Sequence, residues 1–160
     1  MILGSNGPNL PQLNRLITRF LTLLKYITPG VILVGWYMRI FKIKPFNKWV
    51  KKSGLSDINL VNAVDEIERG LIDANLGGNL FKKRVATSSG GKRGGFRTLL
   101  AYKVGRDVFF LHGFEKNEKD NITCREERAL KDLTEFYLSL TRTDIQIAIA
   151  KNELIEVEDE

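Results

Sequence analysis

Positively charged side chains are concentrated in one stretch of the chain and are the first candidates for chemistry. No acidic residue occurs between Asp73 and Asp107, whereas the same stretch holds eight lysines and arginines. They are Lys82, Lys83, Arg84, Lys92, Arg93, Arg97, Lys103 and Arg106. Ordinary protein surfaces intersperse charges of both signs, whereas phosphate binding requires a field of one sign. The stretch therefore predicts a surface that binds phosphate groups, as in a nucleic acid.

The spacing around Lys83 predicts how these cations are presented. The residues alternate as in a β-strand, so Lys82 and Arg84 share one face while Lys83 lies on the other. The glycine-rich loop Ser88–Gly95 adds two further cations, and Arg97 begins the next predicted strand. On a sheet with one buried face, Lys82 and Arg84 would form a positively charged patch on the solvent face.

The inventory of other reactive residues excludes several classes of site. The chain has one histidine, His112, and one cysteine, Cys124, so we expect no metal site, no internal disulfide and a reducing, cytoplasmic location. No cofactor is implied, because the glycine loop lacks the spacing of a phosphate-binding P-loop. His112 lies among Phe110, Leu111 and Phe114, which favours a core or edge position and leaves proton transfer as a secondary role.

The overall charge points to an anionic partner. The chain has 25 basic and 19 acidic residues, a formal net charge of +6. Nucleic acid, anionic lipid and acidic protein all fit such a charge. After Lys151 the local charge is negative, because this segment is rich in glutamate and aspartate. The charge is therefore segregated along the chain.

Residues 1–37 differ in composition from the rest and are predicted to be an N-terminal extension. Their apolar stretch is interrupted by Arg19, Lys25 and Pro29-Gly30, which disfavours a membrane-spanning helix. A signal peptide is also disfavoured, because no charged start precedes the apolar part. We interpret residues 1–37 as an extended reading of the frame, with the functional start at Met38.

The remaining chain predicts a small α+β domain over residues 38–140, followed by a helical and acidic tail over residues 141–160. A strand at 39–44 precedes a short helix opened by Pro45 and a second helix capped by Ser56, which together form a helical hairpin. Strands follow at 80–87, 96–104 and 108–114, and then a C-terminal helix begins at a capping box. We expect the helices to pack on one face of a mostly antiparallel sheet.

Three segments resemble the HigB-type toxins of the RelE/ParE superfamily, in the same order along the chain. They are Leu80–Ala86, Gly90–Arg97 and Gly113–Glu118. The Lys-Arg-Gly-Gly loop and the Lys-Asn-Glu motif are the most specific parts, and the resemblance runs from about Met38 to about Leu140. It implies a microbial-RNase-like fold, cleavage of messenger RNA in the ribosomal A site, and a helix-turn-helix antitoxin as partner.

The resemblance also implies a set of site residues. The catalytic candidates are Lys82, Arg84, Arg97 and Lys116. The RNA-binding candidates are Lys83, Lys92, Arg93, Lys103, Phe114 and Lys119. Some members of the superfamily stack a base on a tyrosine in the 113–125 segment, but this chain has none there, and we expect Phe114 to take that place.

Such toxins are similar to RNases in which the substrate's own 2′-hydroxyl is the nucleophile. The protein must then remove one proton, stabilise negative charge on the phosphate and protonate the leaving oxygen. A lysine can accept a proton only if its pKa is lowered, and crowding of Lys82 by Arg84 and Arg97 would act in that direction. The identities of the acid and the base are not specified by the residues.

Two other functions share part of these features. A ParE-like gyrase poison has the same fold, but such relatives generally lack the basic catalytic set. A nucleic-acid-binding module without catalysis would also explain the cations, because phosphate contacts alone require them. Discrete cuts in messenger RNA on programmed ribosomes would separate the RNase from both.

Overall fold

The computed structural model describes residues 38–86, 95–116 and 121–158, together with Arg15 and Ile17. The chain divides into two units, Met1–Tyr37 and Met38–Glu160. In the first unit only the helical Arg15 and Ile17 are described, so the interpretation of residues 1–37 lies outside the described residues. Within the part of the chain that the structure describes, no helix is long and apolar enough to cross a membrane.

The described ranges of the second unit contain six strands and four helices, which confirms the α+β class. The strands are β1 (Ile40–Ile43), β2 (Ala74–Asn75), β3 (Leu80–Val85), β4 (Phe96–Ala101), β5 (Val108–Glu115) and β6 (Leu154–Glu156). The helices are α1 (Lys44–Ser53), α2 (Asp57–Glu68), α3 (Cys124–Ser139) and α4 (Arg142–Ala150). The predicted caps are present, since Ser56 precedes α2 and Thr123 forms a capping box with Glu126 at α3.

The strands form one sheet in the order β2-β3-β4-β5-β1-β6. β3, β4 and β5 are antiparallel neighbours, whereas β1 pairs in parallel with β5. The sheet is therefore mixed: four of its five pairings are antiparallel, as expected for a mostly antiparallel sheet, and the pairing of β1 with β5 is parallel. The reason is that β1 and β5 are separated by two helices and three strands, so no hairpin turn forces them to run in opposite directions.

The C-terminal segment completes one edge of the sheet. β6 pairs antiparallel with β1, and the Val157 amide donates a hydrogen bond to the carbonyl of Ile40. Leu154 is buried in the core. Residues 141–158 thus contribute a helix and a strand of the fold, although their charge alone indicates only a polar tail.

Helices pack on both faces of the sheet, so the expectation of a single covered face is also wrong. On one face the α1 residue Trp49 lies against Gly113, where any side chain would collide with the indole ring. On the opposite face the α3 residue Tyr137 stacks on Phe109 at 5.3 Å between ring centroids. Neighbouring β5 residues such as Phe109 and Phe110 are both buried, because successive side chains point to opposite, covered faces.

Helix α3 buries less of its apolar stripe than its sequence indicates. Leu130 and Thr134 are buried against the sheet. Phe136, by contrast, is 56% exposed and Leu133 is 37% exposed. A helix of this kind contacts the sheet along a narrow line, so residues at the margin of a wide apolar stripe face solvent.

Candidate nucleic-acid interface

Three of the predicted catalytic residues lie on the face of the sheet that α3 partly covers. The register of β3 and β4 places Arg84 directly opposite Arg97 and Lys82 opposite Leu99. Opposed residues and alternate residues of a strand share a face, so Lys82, Arg84 and Arg97 form one surface, here called the cationic ledge. Arg84 is exposed, while Lys82 and Arg97 are half-buried.

The ledge has an electrostatic arrangement that suits a bound anion. Like charges directly opposite each other in a sheet are destabilising, and two charges about 5 Å apart in water repel by about 1 kcal/mol. Among the described residues, no carboxylate forms an ion pair with Lys82, Arg84 or Arg97. A phosphate between the two guanidinium groups would relieve the repulsion through charge-assisted hydrogen bonds.

Lys83 lies on the opposite face, as the alternation predicts, but it is not available to RNA. Its side chain is 7% exposed, and its Nζ is 2.6 Å from Glu66 Oε2 on α2. The same ammonium donates a hydrogen bond to the carbonyl of Leu71 and lies 3.8 Å from Asp73 Oδ2. The predicted RNA-binding role of Lys83 is therefore corrected: the charge is neutralised inside the fold.

Phe114 and Lys103 are also placed away from a stacking or phosphate-binding role at the ledge. Phe114 lies opposite Arg97 on the ledge face but is only 4% exposed, so its ring is packed in the core and offers no free face to a base. Lys103 follows the far end of β4, about 20 Å from Arg97 at the usual rise per residue. Burial corrects the stacking role of Phe114, whereas the RNA-binding role of the exposed Lys103 stays a prediction for a surface away from the ledge.

Lys116 comes directly after β5, in an exposed turn at the end of the sheet that carries Arg84 and Arg97. The structure therefore brings this fourth catalytic candidate to the same end as the ledge. Lys92, Arg93 and Lys119 lie outside the described residues.

His112 lies on the same face of the sheet as the cationic ledge, although its neighbours in the sequence are apolar. It lies opposite Leu99, which in turn lies opposite Lys82, so these residues form a row across β5, β4 and β3. The row places the imidazole on the ledge face, about 10 Å from the strand of Lys82 at the usual strand spacing. The ring is half-buried, with its centroid 6.0 Å from that of Phe114.

A cavity of about 270 Å³ lies beside Arg84, between the end of β3 and helix α2. Its lining consists of Asn59, Asn62, Ala63, Glu66, Arg84, Val85 and Ala86. Local sequence patterns do not predict this cavity, because polar residues on a helix carry no signal that the end of a strand will pack beside them. Among the described residues there is no group of histidine, cysteine and acidic side chains that could hold a metal ion.

Comparison with known proteins adds one finding. The family model described as "RelE toxin of RelE / RelB toxin-antitoxin system" matches residues 38–157, which is most of the chain and includes the whole ledge. No curated protein matches the chain.

Proposed function

Because the chain belongs to the RelE toxin family of toxin–antitoxin systems, we propose that it is a metal-independent endoribonuclease that cleaves messenger RNA in the ribosomal A site. Within the superfamily we assign it to the HigB type, neutralised in the cytoplasm by a helix-turn-helix antitoxin. The observation that carries the proposal is the cationic ledge, whose opposed Arg84 and Arg97 have no ion-pair partner among the described residues.

The proposed reaction uses the RNA's own 2′-hydroxyl as the nucleophile. A protein group removes its proton, the oxygen attacks the adjacent phosphorus, and the bond from phosphorus to the 5′ oxygen breaks. The products are a 2′,3′-cyclic phosphate and a 5′-hydroxyl, which receives a proton from a second protein group. These proton transfers and the exchange of bonds at phosphorus require no metal ion and no further reactant.

The positions of the candidate residues suggest different roles in phosphate binding and in proton transfer. Arg84 and Arg97 face each other across two strands, so both guanidinium groups can hold the non-bridging oxygens of one phosphate as negative charge develops. Lys82 and Lys116 are the candidates for proton transfer at the two ends of the reacting bond. The exposed surface of Arg84 is where the RNA backbone would enter.

The test is cleavage of a defined messenger RNA on programmed ribosomes, mapped by primer extension. The wild type should give discrete cuts, and alanine at Lys82, Arg84 or Arg97 should lower the rate by about 10²–10³. The control is Lys48→Ala, which removes an exposed cation of α1 on the other face of the sheet. A folded wild type that makes no cuts, or ledge variants that cut at the wild-type rate, would refute the proposal.

Two further readouts identify the alternatives. Inhibition of gyrase with intact messenger RNA would identify a ParE-like toxin. Salt-dependent RNA binding without cuts, weakened only modestly by each ledge substitution, would identify a binding module instead.

A further inference from the structure

β3 has no neighbouring strand on its outer side at the position of Arg84. β2 pairs with β3 only at Phe81 and Lys82, and in the part of the chain that the structure describes no other strand lies on that side. In the same register the residue opposite Arg84 would be Ile72. The amide of Ile72 instead donates a hydrogen bond to the carbonyl of Gly70 in the turn after α2. Backbone pairing from β2 therefore ends before it reaches Arg84.

The carboxylate of Asp73 takes the place of the missing strand. Its Oδ2 accepts a hydrogen bond from the Arg84 amide, with 2.6 Å between nitrogen and oxygen. A hydrogen bond to an ionised carboxylate is stronger than one to a neutral carbonyl. The same oxygen lies 3.8 Å from the ammonium of Lys83, whose closer carboxylate partner is Glu66 at 2.6 Å. The short contact of Asp73 is therefore with the backbone of Arg84 and not with the neighbouring ammonium.

A glycine confines the first carbons of the Arg84 side chain. Gly95 comes directly before β4, and a methyl group at this position would lie 2.9 Å from the carbonyl oxygen of Val85 and 3.3 Å from Cγ of Arg84. Only a residue without a side chain allows so close an approach of the backbone. Arg84 is thus held at its amide by Asp73 and packed at its Cγ against Gly95.

Arg84 needs this support because it lies directly opposite Arg97. Repulsion between the two guanidinium groups favours separation of β3 and β4 at this end of the sheet. A fixed backbone at Arg84 opposes that separation and keeps both groups within reach of one phosphate. Their placement matters for the rate, because a displacement of about 1 Å at a reacting centre can cost about 10²-fold.

We propose that Asp73 is a positioning residue of the cationic ledge: its carboxylate holds the end of β3 so that the Arg84 guanidinium faces the same phosphate as Arg97. Asp73 acts through Arg84, because its contact is with the backbone of that residue and its own negative charge would repel a phosphate. The proposal rests on the proposed function in that the ligand of the ledge is an RNA phosphate.

The test compares Asp73→Ala with Asp73→Asn in the ribosome cleavage assay, at saturating ribosomes and well below the melting temperature of each variant. Asp73→Ala removes the acceptor and should lower the rate about tenfold, a part of the 10²–10³ that loss of a whole charged donor costs. Asp73→Asn keeps an oxygen that can accept from the Arg84 amide and should restore most of the rate. If Asp73 acted only through its charge on Lys83, the asparagine variant would be as slow as the alanine variant, and the proposal would be overturned.

A positioning residue has no effect once the group that it positions is gone. In the Arg84→Ala background the amide remains and the guanidinium is absent, so adding Asp73→Ala should change the rate by less than about twofold. A further tenfold loss in that background would show that Asp73 only stabilises the fold.

The matched control is Glu66→Ala, which removes the other carboxylate beside Lys83 without touching the Arg84 amide. It should lose stability but cut at nearly the wild-type rate while folded, which circular dichroism would verify. A loss of rate as large as that of Asp73→Ala would refute a specific role for Asp73.

Failure of this assignment and failure of the proposed function give different results. Binding of a short fluorescent oligonucleotide with 2′-deoxy sugars, which cannot be cut, reports the phosphate contacts without the chemistry. If the wild type never cuts on ribosomes, but Asp73→Ala weakens this binding in the wild type and not in Arg84→Ala, the positioning role stands and the RNase is wrong. If the wild type cuts and Arg84→Ala is slow, but Asp73→Ala cuts at the wild-type rate, the positioning role is wrong and the RNase stands.

Discussion

Replacing Lys83 by alanine should destabilise the fold without removing the chemistry, although Lys83 is a direct neighbour of two proposed catalytic residues. The substitution takes away the ammonium that contacts Glu66 at 2.6 Å and the carbonyl of Leu71 at 2.8 Å. Glu66 and Asp73 would then face a site without a counter-charge. The side chain of Lys83 is 7% exposed, so its removal leaves the Leu71 carbonyl without this donor at a largely buried position.

The expected loss in the free energy of unfolding depends on how exposed the acidic partners of Lys83 are. Removing one member of a fully buried ion pair costs about 3–5 kcal/mol. The side chains of Glu66 and Asp73 are 45% and 38% exposed, so water can solvate them and lowers this penalty. We therefore expect a loss of about 2–3 kcal/mol in the free energy of unfolding. For a unit of this size the melting temperature should fall by about 6–15 °C.

The assay is chemical and thermal unfolding of Lys83→Ala, Glu66→Ala and the double variant, with Lys48→Ala as the exposed control. The double variant should lose less than the sum of the two single variants, because both singles remove the same interaction. Well below its melting temperature, Lys83→Ala should cut messenger RNA at nearly the wild-type rate. Stability within about 0.5 kcal/mol of the wild type, the range of ordinary surface substitutions, would show that this ion pair does not hold α2 on β3.

Three further predictions concern the ends of the domain, its pH dependence and its partner. A chain that starts at Met38 should keep full toxicity, because the family match and the second unit both begin there; a soluble, folded but inert product would contradict this. Burial raises the pKa of Asp107, so the stability that this carboxyl contributes when protonated should be lost as pH rises from about 4 through that raised pKa. Asp107→Asn keeps an acceptor for the Arg39 amide, and its stability relative to the wild type should increase over the same interval in denaturant titrations; an equal difference at acidic and neutral pH would count against the assignment. The antitoxin complex should bind RNA more weakly and with a smaller salt dependence than the free toxin, whereas equal affinities would mean that the antitoxin leaves the cationic surface open.

Local patterns were sufficient for the class of fold and for the shared face of two of the candidate site residues. The capping box at Thr123 and the helix start at Ser56 depend on residues three positions apart, so the chain itself specifies them. The shared face of Lys82 and Arg84 follows from the two-residue period of any β-strand. The pairing of Arg97 with Arg84 needed the register, which the length of the connecting loop does not reveal.

The features that the sequence did not predict depend on contacts between residues far apart in the chain. β6 joins the sheet through contacts with β1, more than 100 positions away, so its charge-rich surroundings predict only a tail. Phe114 has the composition of a stacking residue, but it is buried within the folded domain. The cavity beside Arg84 likewise exists only because α2 packs beside the end of β3.

The amino-acid sequence by itself determined the α+β class, the alternation of the strand cations and a basic surface, because backbone geometry and net charge are local or additive properties. Only the tertiary structure decided which cations are neutralised inside the fold and which are not. Lys42 and Lys83 have the same chemistry as Lys82, yet Lys42 is buried against Asp57 and Lys83 against Glu66. Both carboxylates come from α2, and a lysine in the interior is retained only where such an opposite charge meets it. Lys82 lies on the face opposite Lys83, where no carboxylate that the structure describes forms an ion pair with it, so its charge is not neutralised in this way.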